Sequence, residues 1–256
     1  MMIQSPTFAV RLARGESDLL AAQRLRYRVF VQELGGDGPL VDHDLGLERD
    51  RFDAVFDHLL LIDPLLPVTD QVVGVYRLLG DAGARRLGQY YSEDEYDLSV
   101  LRGSGRNLLE LGRSCLHPAY RGGTAMYHLW HGLADYIADH QIEVLFGVAS
   151  FHGQEPQRLA QPLSYLHRHH LAPPELRVCA RTYAPMDLLP PDKIDRRQAM
   201  LETPALIKAY LRLGGMVGDG AFVDRAFNTV DVCLLMDIAR MNPKQKQLYT
   251  KAGRNR

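Results

Sequence analysis

A stretch in the middle of the chain combines charged residues with a turn that could bind a phosphate, and it reads LLELGRSCLHPAYRGGTA. It begins as an apolar run typical of a buried strand, yet it contains Glu110 and Arg113, which packing does not require. It then turns through Arg121, Gly122 and Gly123 into a segment whose apolar residues recur at helical spacing. A glycine-rich turn between a strand and a helix presents backbone N–H groups to a phosphate. The sequence therefore predicts an anion-binding turn that follows a charged strand.

Glu110 and Arg113 lie three residues apart, so a regular strand would place them on opposite faces of the sheet. Gly112 between them allows a β-bulge, which would turn both side chains toward one site. An ion pair between the two residues that fixes the bulge is the structural alternative, and it is compatible with a catalytic role.

Two more arginines occur among apolar residues. Arg26 shares one strip of the first predicted helix with Phe30, and this helix is expected to run to about Glu33. Arg77 ends an apolar run that is predicted to be a strand. An arginine there needs a partner carboxylate, because burying an unpaired charge is very costly.

The segment from residue 35 to Asp53 is irregular, acidic and interrupted by glycine and proline, which predicts a loop. A solvated surface loop is the simpler interpretation. A lid whose carboxylates bind a cationic amino acid is the functional one, and the residues alone leave both open.

Composition narrows the class of protein. A formal net charge of −1 provides no global field for nucleic acid, so no nucleic-acid partner is expected. The three cysteines are odd in number, far apart and within apolar runs, which predicts buried reduced thiols. No apolar run approaches the roughly 18 to 20 residues of a membrane span, and no signal peptide is evident. We expect a cytoplasmic protein, with peripheral contact to the inner membrane face left open. The histidines near residue 170 lack ligands at metal-binding spacing, so no metal site is predicted.

The central stretch resembles the acyl-donor strand and pyrophosphate loop of the GCN5-related N-acyltransferase superfamily. Within it, LRYRVFVQEL and the acidic motif ending at Asp53 are similar to the branch that holds the acyl-homoserine-lactone synthases and the bacterial L-ornithine N-alpha-acyltransferases. The segments 206–211 and 228–231 resemble the C-terminal signature of the ornithine acyltransferases. The loop residues Arg121, Gly122 and Gly123 depart from the superfamily spacing, a departure that favours acyl carrier protein over coenzyme A as the donor.

The resemblance implies an α/β (α+β) fold with a mixed, mostly antiparallel sheet flanked by helices. It also implies one acyltransferase domain over residues 1–256. The core would cover about 8–185, a family-specific C-terminal extension about 186–240, and a basic tail 241–256.

The implied reaction moves a 3-hydroxyacyl chain from acyl carrier protein to the α-amine of L-ornithine, giving lyso-ornithine lipid. The implied partners are acyl carrier protein and ornithine, with no permanently bound cofactor. An acyl-homoserine-lactone synthase or another N-acyl amino acid synthase is the alternative enzyme. A non-enzymatic module that binds acyl carrier protein is the alternative from another class.

The resemblance also implies residue roles. The α-amine is mostly protonated at neutral pH, so a carboxylate must accept its proton, and Glu110 is the candidate. Cys115 is expected to be core rather than a nucleophile. The further catalytic candidates are Arg113 and Tyr165, and Tyr165 would protonate the leaving thiolate unless it is a buried structural tyrosine. The acyl thioester would lie beside Ser114, Cys115 and Leu116, whose backbone would hold the oxyanion. The phosphate of phosphopantetheine would bind to Arg121, Gly122 and Gly123, and ornithine to Arg26, Phe30, Asp53 and Arg77.

Overall fold

The elements follow one another along residues 8–241, which are the residues that the computed structural model describes. The strands are β1 (Ala9–Leu12), β2 (Asp57–Ile62), β3 (Val72–Gly80), β4 (Tyr96–Asp97), β5 (Leu108–Leu116), β6 (Val144–His152), β7 (Cys179–Ala180), β8 (Met216–Val217), β9 (Phe222–Asp224) and β10 (Thr229–Asp237). The α-helices are α1 (Glu16–Arg26), α2 (Asp81–Leu87), α3 (Ser99–Arg102), α4 (Ala125–Asp139), α5 (Ala160–His170), α6 (Arg196–Glu202) and α7 (Ala205–Arg212). The basic tail predicted for 241–256 lies outside the described residues except for its first position.

The described chain divides into two compact units. One boundary between them falls at the end of β3 and another falls within β5. The first unit contains residues 8–79 and Leu111–His140, and the second contains Gly80–Glu110 and residues 141–241. Strand β5 therefore contributes its beginning to the second unit and its end to the first. A single domain over the whole chain stays a prediction.

In the first unit, β1 pairs with β2 and β2 pairs with β3, both antiparallel, and β5 follows β3. Helix α4 lies very close to β1, because a Cβ added to Gly132 would approach Val10 Cγ1 within 2.3 Å. Helix α1 packs its apolar side on the sheet and closes the core. The buried core residues there are Ala22, Leu25, Val29, Leu60, Ile62, Val75 and Cys115.

In the second unit, the strand order is β5-β6-β10-β8, with β9 also paired to β10. β5 and β6 are parallel, whereas β6 and β10 form a long antiparallel ladder from Thr229↔His152 to Asp237↔Val144. Strands β4 and β7 form a separate antiparallel pair. These pairings confirm the predicted mixed, mostly antiparallel sheet, and no helix among residues 8–241 is both long and apolar enough to cross a bilayer.

The first helix extends to Glu33 as predicted, but its hydrogen bonding changes on the way. Regular α-helix ends at Arg26, and a π-helical segment continues from Tyr27 to Glu33. The backbone N–H of Leu34 donates to the carbonyl of Val29 five residues back (3.2 Å), which shows the wider turn. π-Helical turns occur frequently at functional sites. Here the wider turn follows directly after Arg26, which lies at the centre of the candidate active site.

Candidate active site

Arg26 is fully buried at the end of α1 and is surrounded by oxygen acceptors. Its Nε donates to Glu48 Oε2 (2.5 Å), and one Nη donates to the Glu48 carbonyl (2.6 Å). Its two Nη atoms also donate to Asp53, with distances of 2.6 Å and 3.0 Å to the two carboxylate oxygens. The acidic loop therefore provides the carboxylates that a buried arginine requires.

Arg77 and Arg113 bind the same group of carboxylates. Arg77 Nη1 donates to both oxygens of Asp50 (2.7 Å each) and to Asp53 Oδ1 (2.9 Å), and its guanidinium lies 4.5 Å from the ring centre of Phe56. Arg113 Nε donates to Glu48 Oε1 (3.1 Å), and its Nη2 lies 3.6 Å from Asp50.

We call this group the arginine–carboxylate cluster, and its members are Arg26, Arg77, Arg113, Glu48, Asp50 and Asp53. Three guanidinium groups face three carboxylates, so the formal charges cancel. Burial alone would raise the pKa of Glu48, but the charges of Arg113 and Arg26 outweigh it and lower that pKa to about 2. Burial opposes ionisation of Asp53 as well, yet the hydrogen bond from Arg26 and the nearby guanidinium charges lower its pKa well below the ordinary value. Glu48 and Asp53 are therefore ionised at neutral pH.

The structure brings together four predicted residues, Arg26, Arg77, Arg113 and Asp53, and adds two that were not singled out. Phe30 also lies beside it, with its ring centre 5.9 Å from the Arg113 guanidinium. A signal for the missed carboxylates was present in the sequence. Three arginines in apolar surroundings require more than one carboxylate, and Glu48 and Asp50 are neighbours of Asp53 in the same loop.

Strand β5 contains the irregularity that Gly112 suggested, but the unusual backbone is one residue later. Arg113 adopts a left-handed conformation with φ of +47° inside the strand. A residue other than glycine pays a conformational cost there, and such residues re-aim the side chains around them. Gly112 in turn packs against the cluster, since an added Cβ would lie about 4 Å from Arg77 and Phe56.

Glu110 is buried and accepts three hydrogen bonds from the short 3₁₀ turn Tyr91–Asp94. The backbone N–H groups of Tyr91 (2.7 Å) and Ser92 (2.6 Å) donate to it, as does the Ser92 hydroxyl. This carboxylate therefore holds a turn of the second unit, a role that the sequence did not indicate. The carboxylate partners described for Arg113 are Glu48 and Asp50, so Arg113 does not depend on Glu110 alone for an ion pair.

The predicted phosphate turn has the expected form at the start of α4. Gly122 has a positive φ of 76°, and no atom lies within 4 Å of a Cβ added to Gly122 or Gly123. Thr124 precedes the helix without a side-chain cap. Arg121 donates to Glu33 (2.5 Å and 2.8 Å) and to the Leu116 carbonyl, which fixes the turn to the end of β5.

Two predicted residues beside the thioester site have clear environments. Burial raises the pKa of the Cys115 thiol to about 12, so it is neutral and unreactive as a nucleophile at physiological pH. Ser114 Oγ is buried and, among the residues described, has no hydrogen-bond partner. Tyr165 lies on α5 in the second unit, nearly buried, with its ring 4.6 Å from that of His169. Its catalytic role stays a prediction.

An open cleft of about 990 Å³ borders the arginine–carboxylate cluster in the first unit. Gln23, Asp50 and Asp53 connect the cleft to the cluster. The acidic loop supplies most of the remaining wall, and the binding of a cationic amino acid by its carboxylates stays a prediction. The charged residues lining the cleft are Asp42, His43, Asp44, Arg49, Asp50, Arg51 and Asp53.

Comparisons with known proteins place this site in a family. Residues 25–131 match the family model of the acetyltransferase (GNAT) domain. The L-ornithine N(alpha)-acyltransferase of Rhodobacter capsulatus is 57% identical over 247 residues, which cover 96% of this chain and 95% of that protein. The enzyme of the same name from Brucella abortus is 42% identical, over 94% of this chain and 88% of its own length.

The chain belongs to the L-ornithine N(alpha)-acyltransferase family.

Membership in this family makes the chain a GNAT acyltransferase and sets aside the non-enzymatic binding module. Two solved structures share the fold of this ornithine acyltransferase family member. The N-acyl amino acid synthase FeeM from uncultured soil microbes has a TM-score of 0.53 at 13% identity, covering 92% of this chain and 93% of its own. The AHL synthase LasI has a TM-score of 0.52 at 17% identity, covering 96% and 95%. At these identities the likeness concerns the fold alone.

Proposed function

We propose that this chain transfers a 3-hydroxyacyl group from acyl carrier protein to the α-amine of L-ornithine and releases lyso-ornithine lipid. The observation that carries the proposal is the 57% identity to a named L-ornithine N(alpha)-acyltransferase along nearly the whole of both chains. The aligned region covers 96% of this chain and 95% of that protein. No permanently bound cofactor is part of the proposal.

The cleft beside the arginine–carboxylate cluster is the proposed acceptor site. Ornithine presents a carboxylate and a distal ammonium on the two sides of its reacting amine, so its site needs both signs of charge. Asp53 was expected to bind the ammonium, but its oxygens accept from Gln23, Arg26 and Arg77. We therefore assign Asp53 to orienting the two arginines.

The distal ammonium is assigned instead to a carboxylate on the outer wall of the cleft. Asp44 lines the cleft and is exposed. Asp42 lines it as well but is bound to Arg49 (2.5 Å) and to the backbone of Leu45. Asp44 is therefore the better candidate for pairing with a substrate cation.

The turn at Arg121, Gly122 and Gly123 is the proposed site for the phosphate of phosphopantetheine. The support for this assignment is the open space beside the two glycines and the uncapped start of α4, where N–H groups and the helix dipole favour an anion. The thioester would then lie along the end of β5, with backbone N–H groups near Ser114 to Leu116 stabilising the oxyanion.

The chemistry requires two proton movements. Glu110 accepts a proton from the α-ammonium, directly or through water, and the free amine then attacks the thioester carbon. The C–S bond breaks and the N–C bond of the amide forms, while the second proton, which the attacking nitrogen releases, passes through Tyr165 to the leaving thiolate. No acyl-enzyme is needed, in keeping with the high pKa of the Cys115 thiol.

A donor-exchange assay tests this proposal. Purified protein is incubated with L-ornithine and either 3-hydroxyacyl carrier protein or the matching 3-hydroxyacyl coenzyme A, and products are identified by mass spectrometry. We expect N-acyl ornithine with the carrier protein and at least about tenfold slower formation with coenzyme A. Equal rates would overturn the donor assignment, and absence of acyl ornithine with both donors would overturn the reaction. An unhydroxylated acyl carrier protein of the same length tests the 3-hydroxyl preference.

A further inference from the structure

His58 is a buried histidine that contacts the arginine–carboxylate cluster from the sheet below it. It lies on β2, directly opposite Arg77 of β3 in the strand register, and is only 5% exposed. Its Nε2 lies 3.1 Å from the backbone carbonyl oxygen of Asp53. A carbonyl oxygen can only accept, so Nε2 carries the proton and donates.

The other ring nitrogen has no such partner. Nδ1 of His58 is buried, and the residues 8–241 supply no hydrogen-bond partner for it. With the proton on Nε2, the neutral ring presents a bare lone pair at Nδ1. A second proton there would create a buried donor without an acceptor, which costs free energy comparable to a lost hydrogen bond.

The charges around His58 also oppose its protonation. Burial lowers the pKa of His58, and the nearby guanidinium groups of Arg26 and Arg77 lower it further. The Asp53 backbone and carboxylate act in the opposite direction but do not compensate. Protonated His58 would be a fourth cation in a cluster whose three arginines already balance its three carboxylates.

The turn that His58 contacts carries two cluster carboxylates. The N–H of Asp53 donates to the Asp50 carbonyl (3.3 Å), and the N–H of Phe52 donates to Asp50 Oδ1 (2.9 Å). His58 fixes the end of this turn through the Asp53 carbonyl. The positions of Asp50 and Asp53, and through them of Arg77, therefore depend on a hydrogen bond from a neutral imidazole.

We propose that His58 is a positioning residue of the acceptor site: its neutral Nε2–H form anchors the 50–53 turn, and protonation at Nδ1 disorders the cluster and weakens amino-acid binding. The structural part stands on the geometry of His58 itself. The statement about amino-acid binding rests on the proposed function.

The structural part is tested without any substrate. In ¹⁵N-histidine NMR of the whole protein, we expect His58 as the Nε2–H tautomer, with a protonation midpoint below the ordinary value of about 6.5. His58→Gln identifies the resonance and retains an amide donor at nearly the position of Nε2. An Nδ1–H tautomer, or a midpoint at or above about 6.5, overturns the proposal whether or not the protein acylates ornithine.

The functional part is tested by pH profiles of kcat/KM for ornithine between pH 5 and 8. We expect an acid limb in the wild type that is absent in His58→Gln, while the rate at pH 8 stays within about threefold. His58→Leu, which has no donor, should raise the KM for ornithine at least about tenfold with a smaller change in kcat. An unchanged acid limb in His58→Gln, or an unchanged KM in folded His58→Leu, overturns the positioning role. If His58→Leu does not fold, the profile of His58→Gln decides.

Discussion

Arg26 and Asp53 form a two-point ion pair inside the first unit, with Nη1–Oδ1 and Nη2–Oδ2 distances of 2.6 Å and 3.0 Å. Both side chains are buried, and parallel N–H donors on a carboxylate give strength as well as a fixed geometry. Removing one member of such a pair leaves the other as a buried charge without its partner. The pair therefore makes the arginine–carboxylate cluster part of the core.

We expect Asp53→Asn to be strongly destabilising, because three guanidinium groups would then face only two carboxylates. Breaking a buried pair typically costs about 3–5 kcal/mol in the free energy of unfolding. Urea denaturation at pH 7 measures this, with Glu155→Gln as a matched control, since Glu155 pairs with Arg158 at the surface and both are largely exposed. Equal stability of the two variants would contradict a buried role for Asp53.

The stability of the protein should fall in acid because of the cluster. The pKa of Glu48 is about 2 in the folded protein against an ordinary value of 4.5. Below pH 4.5 the unfolded chain binds a proton at this position and the folded protein does not, so stability present above that pH is lost as pH falls toward 2. Urea denaturation between pH 6 and 3 tests this, and Glu48→Gln should reduce the slope. A wild-type stability that is flat down to pH 3 would contradict the lowered pKa of Glu48.

The sequence predicted much of the cluster and little of how it is assembled. Arg77, inside an apolar run, required a carboxylate partner on physical grounds alone, whereas Arg26 and Asp53 were chosen from the family resemblance. The contributions of Glu48 and Asp50 come from an irregular loop, where no periodicity indicates which side chains turn inward. The π-helical turn after Arg26 likewise has no sequence period of its own.

The contacts of Glu110 also could not be predicted from the sequence. An ion pair with Arg113 of the same strand was the structural alternative for this residue. Its carboxylate accepts from backbone N–H groups and a hydroxyl of the Tyr91–Asp94 turn. Backbone donors carry no side-chain signature, so a sequence pattern could not distinguish them. The fold, in contrast, follows from the resemblance and the strand pattern.

Arg113 offers a test of its left-handed backbone. Arg113→Ala removes the ion pairs with Glu48 and Asp50 and retains the conformational cost of φ +47°, whereas Arg113→Gly removes the same ion pairs and relieves that cost. We expect both variants to be destabilised, and the glycine variant to be more stable than the alanine variant by about 1 kcal/mol. Thermal and urea denaturation measure the difference. An alanine variant as stable as the wild type would show that these ion pairs contribute nothing.

Glu110→Gln separates a catalytic carboxylate from a structural one. As general base, Glu110 should contribute about 10²–10⁴-fold to the rate, while the amide of glutamine still accepts hydrogen bonds from the turn. Ser92→Ala is the matched control, because it removes one donor of the same contact and retains the carboxylate. We expect a large loss of kcat in Glu110→Gln alone. A folded Glu110→Gln variant within about threefold of the wild-type rate would show that the base lies elsewhere.

The proposed acceptor, L-ornithine, is tested most directly by comparison with L-norvaline, which keeps the carbon chain but lacks the distal amine. Both are supplied with the same 3-hydroxyacyl carrier protein, and kcat/KM is measured with fragmentation of the product to locate the acyl group. A site that pairs a substrate charge rejects the analogue lacking it, because its own charge is left unpaired. We expect ornithine to be acylated on its α-nitrogen at least about 10²-fold more efficiently than norvaline, with Asp44→Asn narrowing the gap. Comparable turnover of the two amino acids by the wild-type protein would contradict the ornithine assignment and favour a broader N-acyl amino acid synthase.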